Sequence, residues 1–352
     1  MFCEFLRVFG CRFTLPQIPN MAVPTTPAYT RVSRTQFSGY AVKFSPFRAN
    51  LIAVATSQYY GIAGNGKLLV LDADRNFLPL AEFCTRDGCF DVAWSEKAET
   101  VLAAATGDGS VKIFDSTRPG SRPVADLSGH SAETYSVDWN LHLRDLICSA
   151  SWDRSVRVWD VSCGVETQKF FSHSAIAYEA KWSVRNSKLL GSVGGDGMLH
   201  VSDIGSSSFG RSAISIAAHQ SEVLCLDWSK YNEHVVATGS VDKTVRVWDL
   251  RNPQVPVAQL CGHQLAVRRV KFSPHSDALL ASCSYDMTVK VWAGLSQHAT
   301  SFEHHSEFVI GLDWSNFRRD VIASVGWDRV VAVWTVKGAQ TRQSPVVRLA
   351  AS

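Results

Sequence analysis

An aromatic residue recurs through this chain at Phe44, Trp94, Trp139, Trp182, Trp228, Phe272 and Trp314, with spacings of 50, 45, 43, 46, 44 and 42 residues. A polar turn residue keeps step with it, at Asn65, Asp108, Asp153, Asp196, Asp242, Asp286 and Asp328. From anchor to turn residue is 14 positions in six copies and 21 in the first. A unit of this size cannot bury an apolar face by itself, so its copies must pack against one another. The first copy, which contains "ATSQYYGIAGNGKLLVLD" (Ala55–Asp72), holds a seven-residue insertion within about Gln58 to Gly64.

Within each copy the elements read as short strands. "YSVDW", "LICSASW" and "SVRVWD" are β-branched and aromatic runs separated by turn residues. "GDG" at Gly107–Gly109 and again at Gly195–Gly197 signals tight turns. No long apolar run with helical period stands out. Units of this length that end in Trp-Asp resemble the WD40 repeat, one four-stranded blade each. The resemblance covers roughly Phe37 to Val336 and implies an all-β, seven-bladed propeller. It also implies that the outer strand of the last blade comes from "AYTRVSRT" (Ala28–Thr35), with the tail "SPVVRLAAS" as a competitor for that place. The expected organisation is an extension at 1–27, a propeller at 28–336 and a tail at 337–352.

Further positions recur in phase. A histidine lies nine residues before the anchor at His130, His173, His219, His263 and His305. A hydroxyl lies four before the turn aspartate at Ser149, Ser192, Thr238, Ser282 and Ser324, and a tryptophan six after it at Trp159, Trp248, Trp292 and Trp334. WD40 proteins join these positions by hydrogen bonds within a blade. The sets His130–Ser149–Asp153–Trp159, His219–Thr238–Asp242–Trp248, His263–Ser282–Asp286–Trp292 and His305–Ser324–Asp328–Trp334 are therefore expected to be structural. Blade 4 has Ser202 in place of the tryptophan, and blades 1 and 2 lack most of the set.

A net charge of +3 with no basic run argues against nucleic acid as the partner. The nine cysteines are scattered, with no CxxC pair, and read as reduced thiols of a cytosolic protein. No apolar run reaches the ~18 residues of a membrane span, so no direct membrane insertion is expected. No cofactor, metal or catalytic motif is read: "GIAGNG" (Gly61–Gly66) has no helix behind it, and there is neither a P-loop nor HExxH. The chain is expected to bind, not to catalyse. "MFCEFLRVFGCRFTLPQIPN" (Met1–Asn20) has no clean signal-peptide core. It reads as a variable extension, a misplaced start before Met21, or an organelle presequence.

The binding face follows from two columns of the strand that carries the anchor. Six positions before the anchor stand Ser38, Gly88, Glu133, Ile176, Glu222, Ala266 and Phe308; four before it stand Tyr40, Phe90, Tyr135, Tyr178, Leu224, Arg268 and Ile310. Both columns are expected on one rim, with Asp87 and Glu179 beside them and the Tyr60-bearing insertion above. Two roles are open to the aromatics, contact with a ligand or capping of blade cores. Aromatics flanked by carboxylates suit an amphipathic basic helix.

Several stretches go beyond the general repeat: "DGCFDVAWSE" (Asp87–Glu96), "WSKYNEHVVATGSVD" (Trp228–Asp242), "VRRVKFSPHSDALLASCSYD" (Val267–Asp286) and "EHHSEFVIGLDWS" (Glu303–Ser315). Together with "ATSQYYGIAGNGKLLVLD" and "YSVDW" they resemble the receptor family for the type 2 peroxisomal targeting signal. The resemblance implies a soluble receptor that cycles between cytosol and peroxisome. Its ligand would be an N-terminal helical nonapeptide of matrix proteins, Arg/Lys-Leu/Val/Ile-x5-His/Gln-Leu/Ala. Its partners would be a co-receptor peroxin and docking-complex peroxins. The family's signal-binding rim maps onto Tyr60, Asp87, Glu133 and nearby rim residues. Departures are the Met1–Asn20 extension and Cys89 in the acidic loop. Two other readings stay open: an adaptor of a cullin-type ubiquitin ligase, since "WDLR" (Trp248–Arg251) matches a WDxR box, and a general WD40 assembly scaffold.

Overall fold

In the computed structural model, described for residues 30–336 except 119, 121, 206–212 and 298, the repeats form seven four-stranded antiparallel sheets. Six sheets are built from consecutive strands; blade 1, for example, runs Ser38–Phe44, Leu51–Ser57, Gly66–Asp72 and Leu78–Thr85. The seventh takes its outer strand, Thr30–Arg34, from the other end of the chain. That strand pairs with Val330–Thr335, Thr30 opposite Trp334 and Arg34 opposite Val330. The expected closure by the N-terminal segment is thus observed; the tail lies outside the described residues.

Apolar side chains between neighbouring sheets form the core, as in the cluster of Val92, Trp94 and Leu102 of blade 2 with Ala53 and Leu68 of blade 1. The anchor tryptophans also tie blade to blade. The Trp94, Trp228 and Trp314 indoles donate to the Lys43, Lys181 and Lys271 carbonyls of the preceding blade at 3.0–3.1 Å. The turn that follows the conserved-spacing aspartate needs a left-handed residue. Gly109 (φ 81°) and Gly197 (φ 76°) meet that need directly, while Arg154, Lys243, Met287 and Arg329 adopt it at φ 65–71°.

Every inner strand carries a register shift at the same place. It falls between Gly39 and Ala41, Cys89 and Asp91, Thr134 and Ser136, Ala177 and Glu179, Val223 and Cys225, Val267 and Arg269, and Val309 and Gly311. The skipped residues are Tyr40, Phe90, Tyr135, Tyr178, Leu224, Arg268 and Ile310, the whole column four positions before the anchor. A bulge interrupts the strict alternation of side chains. Two successive residues of each inner strand then face the ring axis, and the upper one closes the channel.

Candidate functional site

The skipped residues meet at the axis. Tyr40, Phe90, Tyr135, Tyr178, Leu224, Tyr285 and Ile310 form one apolar cluster, with Trp152, Ile176, Val241, Leu265, Phe308 and Trp327 packed on it. Ring centroids run Tyr178–Tyr135 6.0 Å, Tyr135–Phe90 5.2 Å, Phe90–Tyr40 5.2 Å and Tyr40–Trp327 6.1 Å. Tyr40, Phe90, Tyr135 and Tyr178 are only 0–7% exposed. They are a floor, and the expectation that this column emerges on the rim is corrected accordingly: the bulge turns it inward. Arg268 is corrected with them. It is 2% exposed, its guanidinium lies 5.0 Å from the Tyr135 ring, and Nη1 donates to the Leu224 carbonyl at 3.4 Å.

Glu179 is the clearest departure. One step past the bulge, it is 1% exposed, deep in the channel. It accepts from the Leu226 amide at 2.9 Å and pairs with Arg269, which also holds Asp91 at 3.0 Å. Despite the burial penalty, Lys181 and Arg269 hold its carboxyl down at about 2. A carboxylate so engaged joins blades 2, 4 and 6 and is buried, not displayed on the rim. Cys89, expected in the acidic loop, is instead the buried first residue of strand Cys89–Trp94.

Of the residues six positions before the anchor, Ala266 is buried in the floor and Ser38 is buried beside it. Glu133 and Glu222 are half-buried. Glu222 accepts from the Tyr178 hydroxyl at 2.6 Å, and burial followed by this carboxylate raises the Tyr178 pKa. The Glu133 side chain makes no hydrogen bond or ion pair with any described residue. Asp87, on the loop into blade 2, is half-buried and accepts from the Gly88 amide at 2.8 Å.

The blade 1 insertion forms a lip on this rim. Gln58–Gly61 is a single 3-10 turn. Tyr59 (φ 46°) and Tyr60 (φ 56°) are left-handed, which costs roughly 1–2 kcal/mol for each non-glycine residue. Side-chain contacts hold them. Tyr40 donates its hydroxyl to the Tyr60 carbonyl at 2.5 Å, and the Tyr60 ring lies 5.3 Å from Trp327. Gly61 (φ 70°) is required, since a Cβ there would strike the Tyr40 hydroxyl and come within 2.8 Å of the Phe90 ring. Tyr59, Tyr60 and Ile62 remain 67%, 46% and 52% exposed, an apolar ledge over the Tyr40 and Trp327 part of the floor.

Sequence reasoning missed Tyr285, which is part of the floor, and Trp152 and Trp327, which pack on it. Their signal was present: each immediately precedes a turn aspartate, in "SASWD", "SCSYD" and "SVGWD". The expected blade networks form in blades 3, 5, 6 and 7. Histidine Nδ1 meets the turn aspartate at 3.0, 2.8, 2.8 and 3.1 Å, and Nε2 meets Ser149, Thr238, Ser282 and Ser324 at 2.8–2.9 Å. Trp159, Trp248, Trp292 and Trp334 donate to the same hydroxyls at 2.8–3.2 Å. Arg251, of the WDxR box, folds back on Asp249.

The other mouth of the channel is charged. A cavity of about 510 Å³ is lined there by Lys43, Asp138, Lys181, Asp227, Lys271 and Asp313. The aspartates accept from the next blade's amides, Asp138 from Trp182, Asp227 from Phe272 and Asp313 from Phe44, each at 2.9 Å. Lys181 lies 3.6 Å from Asp227, and Lys271 3.5 Å from Asp313.

The sequence is similar to those of known proteins. The WD domain, G-beta repeat family matches residues 121–160, 210–249, 254–293 and 296–335, which include the tryptophans of the four complete networks. The peroxisomal targeting signal 2 receptor of Schizosaccharomyces pombe is 36% identical over 304 residues, 85% of this chain and 96% of that one. The Saccharomyces cerevisiae protein of the same name is 33% identical over 245 residues, 61% of this chain and 65% of its own length. The Homo sapiens one is 44% identical over 147 residues, 41% of this chain and 45% of its own length. With the Schizosaccharomyces pombe match covering 85% of this chain and 96% of that protein, the chain belongs to the family of peroxisomal targeting signal 2 receptors.

Proposed function

We propose that the aromatic rim is the docking surface for the N-terminal helical nonapeptide of peroxisomal matrix proteins. The observation that carries this reading is Glu133, a half-buried carboxylate whose side chain has no partner among the described residues, on the strand that sends Tyr135 into the aromatic floor. In the signal, the first and last residue pairs are seven positions apart, two helical turns, and so share one face. Its basic residue meets Glu133, with Asp87 and Glu222 adding negative potential, while its apolar residues press on Tyr60 and Trp327. An exposed ion pair contributes only ~0.2–1 kcal/mol, a desolvated central one ~2 kcal/mol or more. Affinity for the peptide alone is then modest, and a co-receptor peroxin that covers the outer side of the helix supplies the rest. The loaded receptor is handed to docking-complex peroxins and cycles between cytosol and peroxisome. Among the described residues no helix is long and apolar enough to cross a membrane.

The test is Glu133→Lys. Like-charge repulsion at a partly desolvated contact costs several kcal/mol, so the affinity for a fluorescent nonapeptide, with co-receptor present, should fall by at least tenfold. The melting curve should stay that of the parent chain. Unchanged affinity overturns the assignment of the acidic rim.

A further inference from the structure

Blade 4 departs from the plan of its neighbours at two positions at once. Ser202 replaces the tryptophan that donates to the strand hydroxyl in blades 3, 5, 6 and 7. Four residues after the turn aspartate, blades 2, 3 and 5 carry a cation directed at that aspartate: Lys112 at 2.8 Å from Asp108, Arg157 at 3.7 Å from Asp153 and Arg246 at 3.6 Å from Asp242. Blade 4 has His200 there. The exchange brings a second imidazole against His173, with ring centroids 4.6 Å apart and planes at 72°.

From this arrangement we infer that blade 4 holds a zinc site made by His173, Asp196 and His200. One ligand atom from each lies within 4.8 Å of the others, and among the described residues this is the one place where three such groups converge. Each is held from behind. His173 keeps Nε2 on the Ser192 hydroxyl at 2.9 Å, which leaves Nδ1 beside Asp196 at 3.0 Å. His200 keeps Nδ1 on the Ser215 hydroxyl at 2.9 Å, which leaves Nε2 as its ligand atom. Asp196 accepts from the Ser174 amide at 3.0 Å and the Met198 amide at 3.2 Å. Hydrogen bonds to the distal atoms of ligands are what orient a metal site. Two neutral imidazoles and one carboxylate suit Zn2+, with water in the fourth position.

Zinc–nitrogen bonds of about 2.0–2.1 Å put tetrahedral ligand atoms about 3.3 Å apart. The widest edge must therefore close by about 1.5 Å, a movement within reach of side-chain rotation at His200. A bound ion would replace the tie that blade 4 lost with its tryptophan.

The experiment uses the full chain freed of metal with a chelator. Zinc should bind at one equivalent and raise the melting temperature by a few degrees. Cobalt should give the visible absorption of a tetrahedral site. In His200→Arg, which restores the side chain of blades 3 and 5, the metal-free protein should melt as the parent does, and both metal responses should vanish. His200→Gln, closer in size, provides the same reading if the arginine is not accommodated. Zinc binding or a cobalt spectrum unchanged by either substitution overturns the site, and so does an absence of one-equivalent binding in the parent chain.

Discussion

The two mouths of the channel are built from the same seven strands and have opposite character. At one, the residues released by the bulges are mostly aromatic, and the carboxylates above them are half-buried, with the Glu133 side chain unpartnered among the described residues. At the other, Lys181, Asp227, Lys271 and Asp313 answer one another, and each aspartate also takes a backbone amide of the next blade. Both mouths carry charge, yet its disposition differs. Charged groups that satisfy one another tie neighbouring blades together; on the proposed reading, the carboxylate of the aromatic rim waits for a ligand instead. Buried ionic networks are a weak source of net stability but a costly thing to break, so the two mouths should respond differently to mutation.

The sharpest test lies between them. Arg269 holds Asp91 and Glu179 at the centre of the channel. Arg269→Ala leaves buried Asp91 without its ion-pair partner and Glu179 with Lys181 alone, and should cost ~3–5 kcal/mol of unfolding free energy. Affinity for the signal per folded molecule should not change. Denaturant titration and peptide binding read the two quantities separately, and a selective loss of binding would erase the distinction drawn here.

On the apolar side the effect is smaller. Tyr60→Ala removes part of an exposed ledge and should weaken peptide binding by about 1 kcal/mol, roughly fivefold. The salt dependence of binding should stay put, because no charge is lost. A steeper or shallower salt dependence in this variant would mean that the lip acts through the carboxylates and not through apolar contact.

Least is expected at the charged mouth. Burial, with Lys181 and Lys271 adding repulsion against the attraction of Asp91 and Asp313, holds Lys43 down at about 7 instead of 10.5. Between these values the unfolded chain binds the extra proton, so this residue makes stability rise with pH from about 7 to 10.5. Lys43→Met should flatten that segment of the stability curve and leave the protein between unchanged and ~1 kcal/mol more stable at pH 7. A loss of stability at pH 7 would show that Lys43 is part of the ring of compensating charges after all.

The blades were legible because a repeat writes its period many times over. Ring closure was legible as well, since the last repeat lacks one strand and Ala28–Thr35 was free to supply it. The rim was legible only in part. Simple alternation puts Glu133 and Tyr135, two residues apart, on one face; the bulge at Tyr135 breaks that rule, and no residue type marks it. Hence Tyr40, Phe90, Tyr135, Tyr178 and Arg268 were assigned to the surface when they are its foundation, and Glu179 was placed beside a rim it lies beneath. The aromatics before the turn aspartates were passed over for a different reason. In "SASWD" the aspartate belongs to the repeat and draws the eye, while Trp152 varies among the blades: its counterparts are Gly107, Gly195, Val241, Tyr285 and Trp327.

The strand Thr30–Arg34 pairs with Val330–Thr335, and this joint governs how the molecule can be made. On a ribosome adding roughly 5–20 residues per second, the first strand leaves the tunnel about 15–60 s before its partner. Blades 1 to 6 can assemble in order during that interval. The ring stays an open arc with unpaired edges at blade 7, and such edges are templates for wrong pairing. Contacts across some 300 residues are the slowest a chain can make. Newly made receptor should therefore depend most on chaperones just before its last strand emerges, and a mutation in either joining strand should lower the yield of folded protein more than its effect on the finished molecule would suggest.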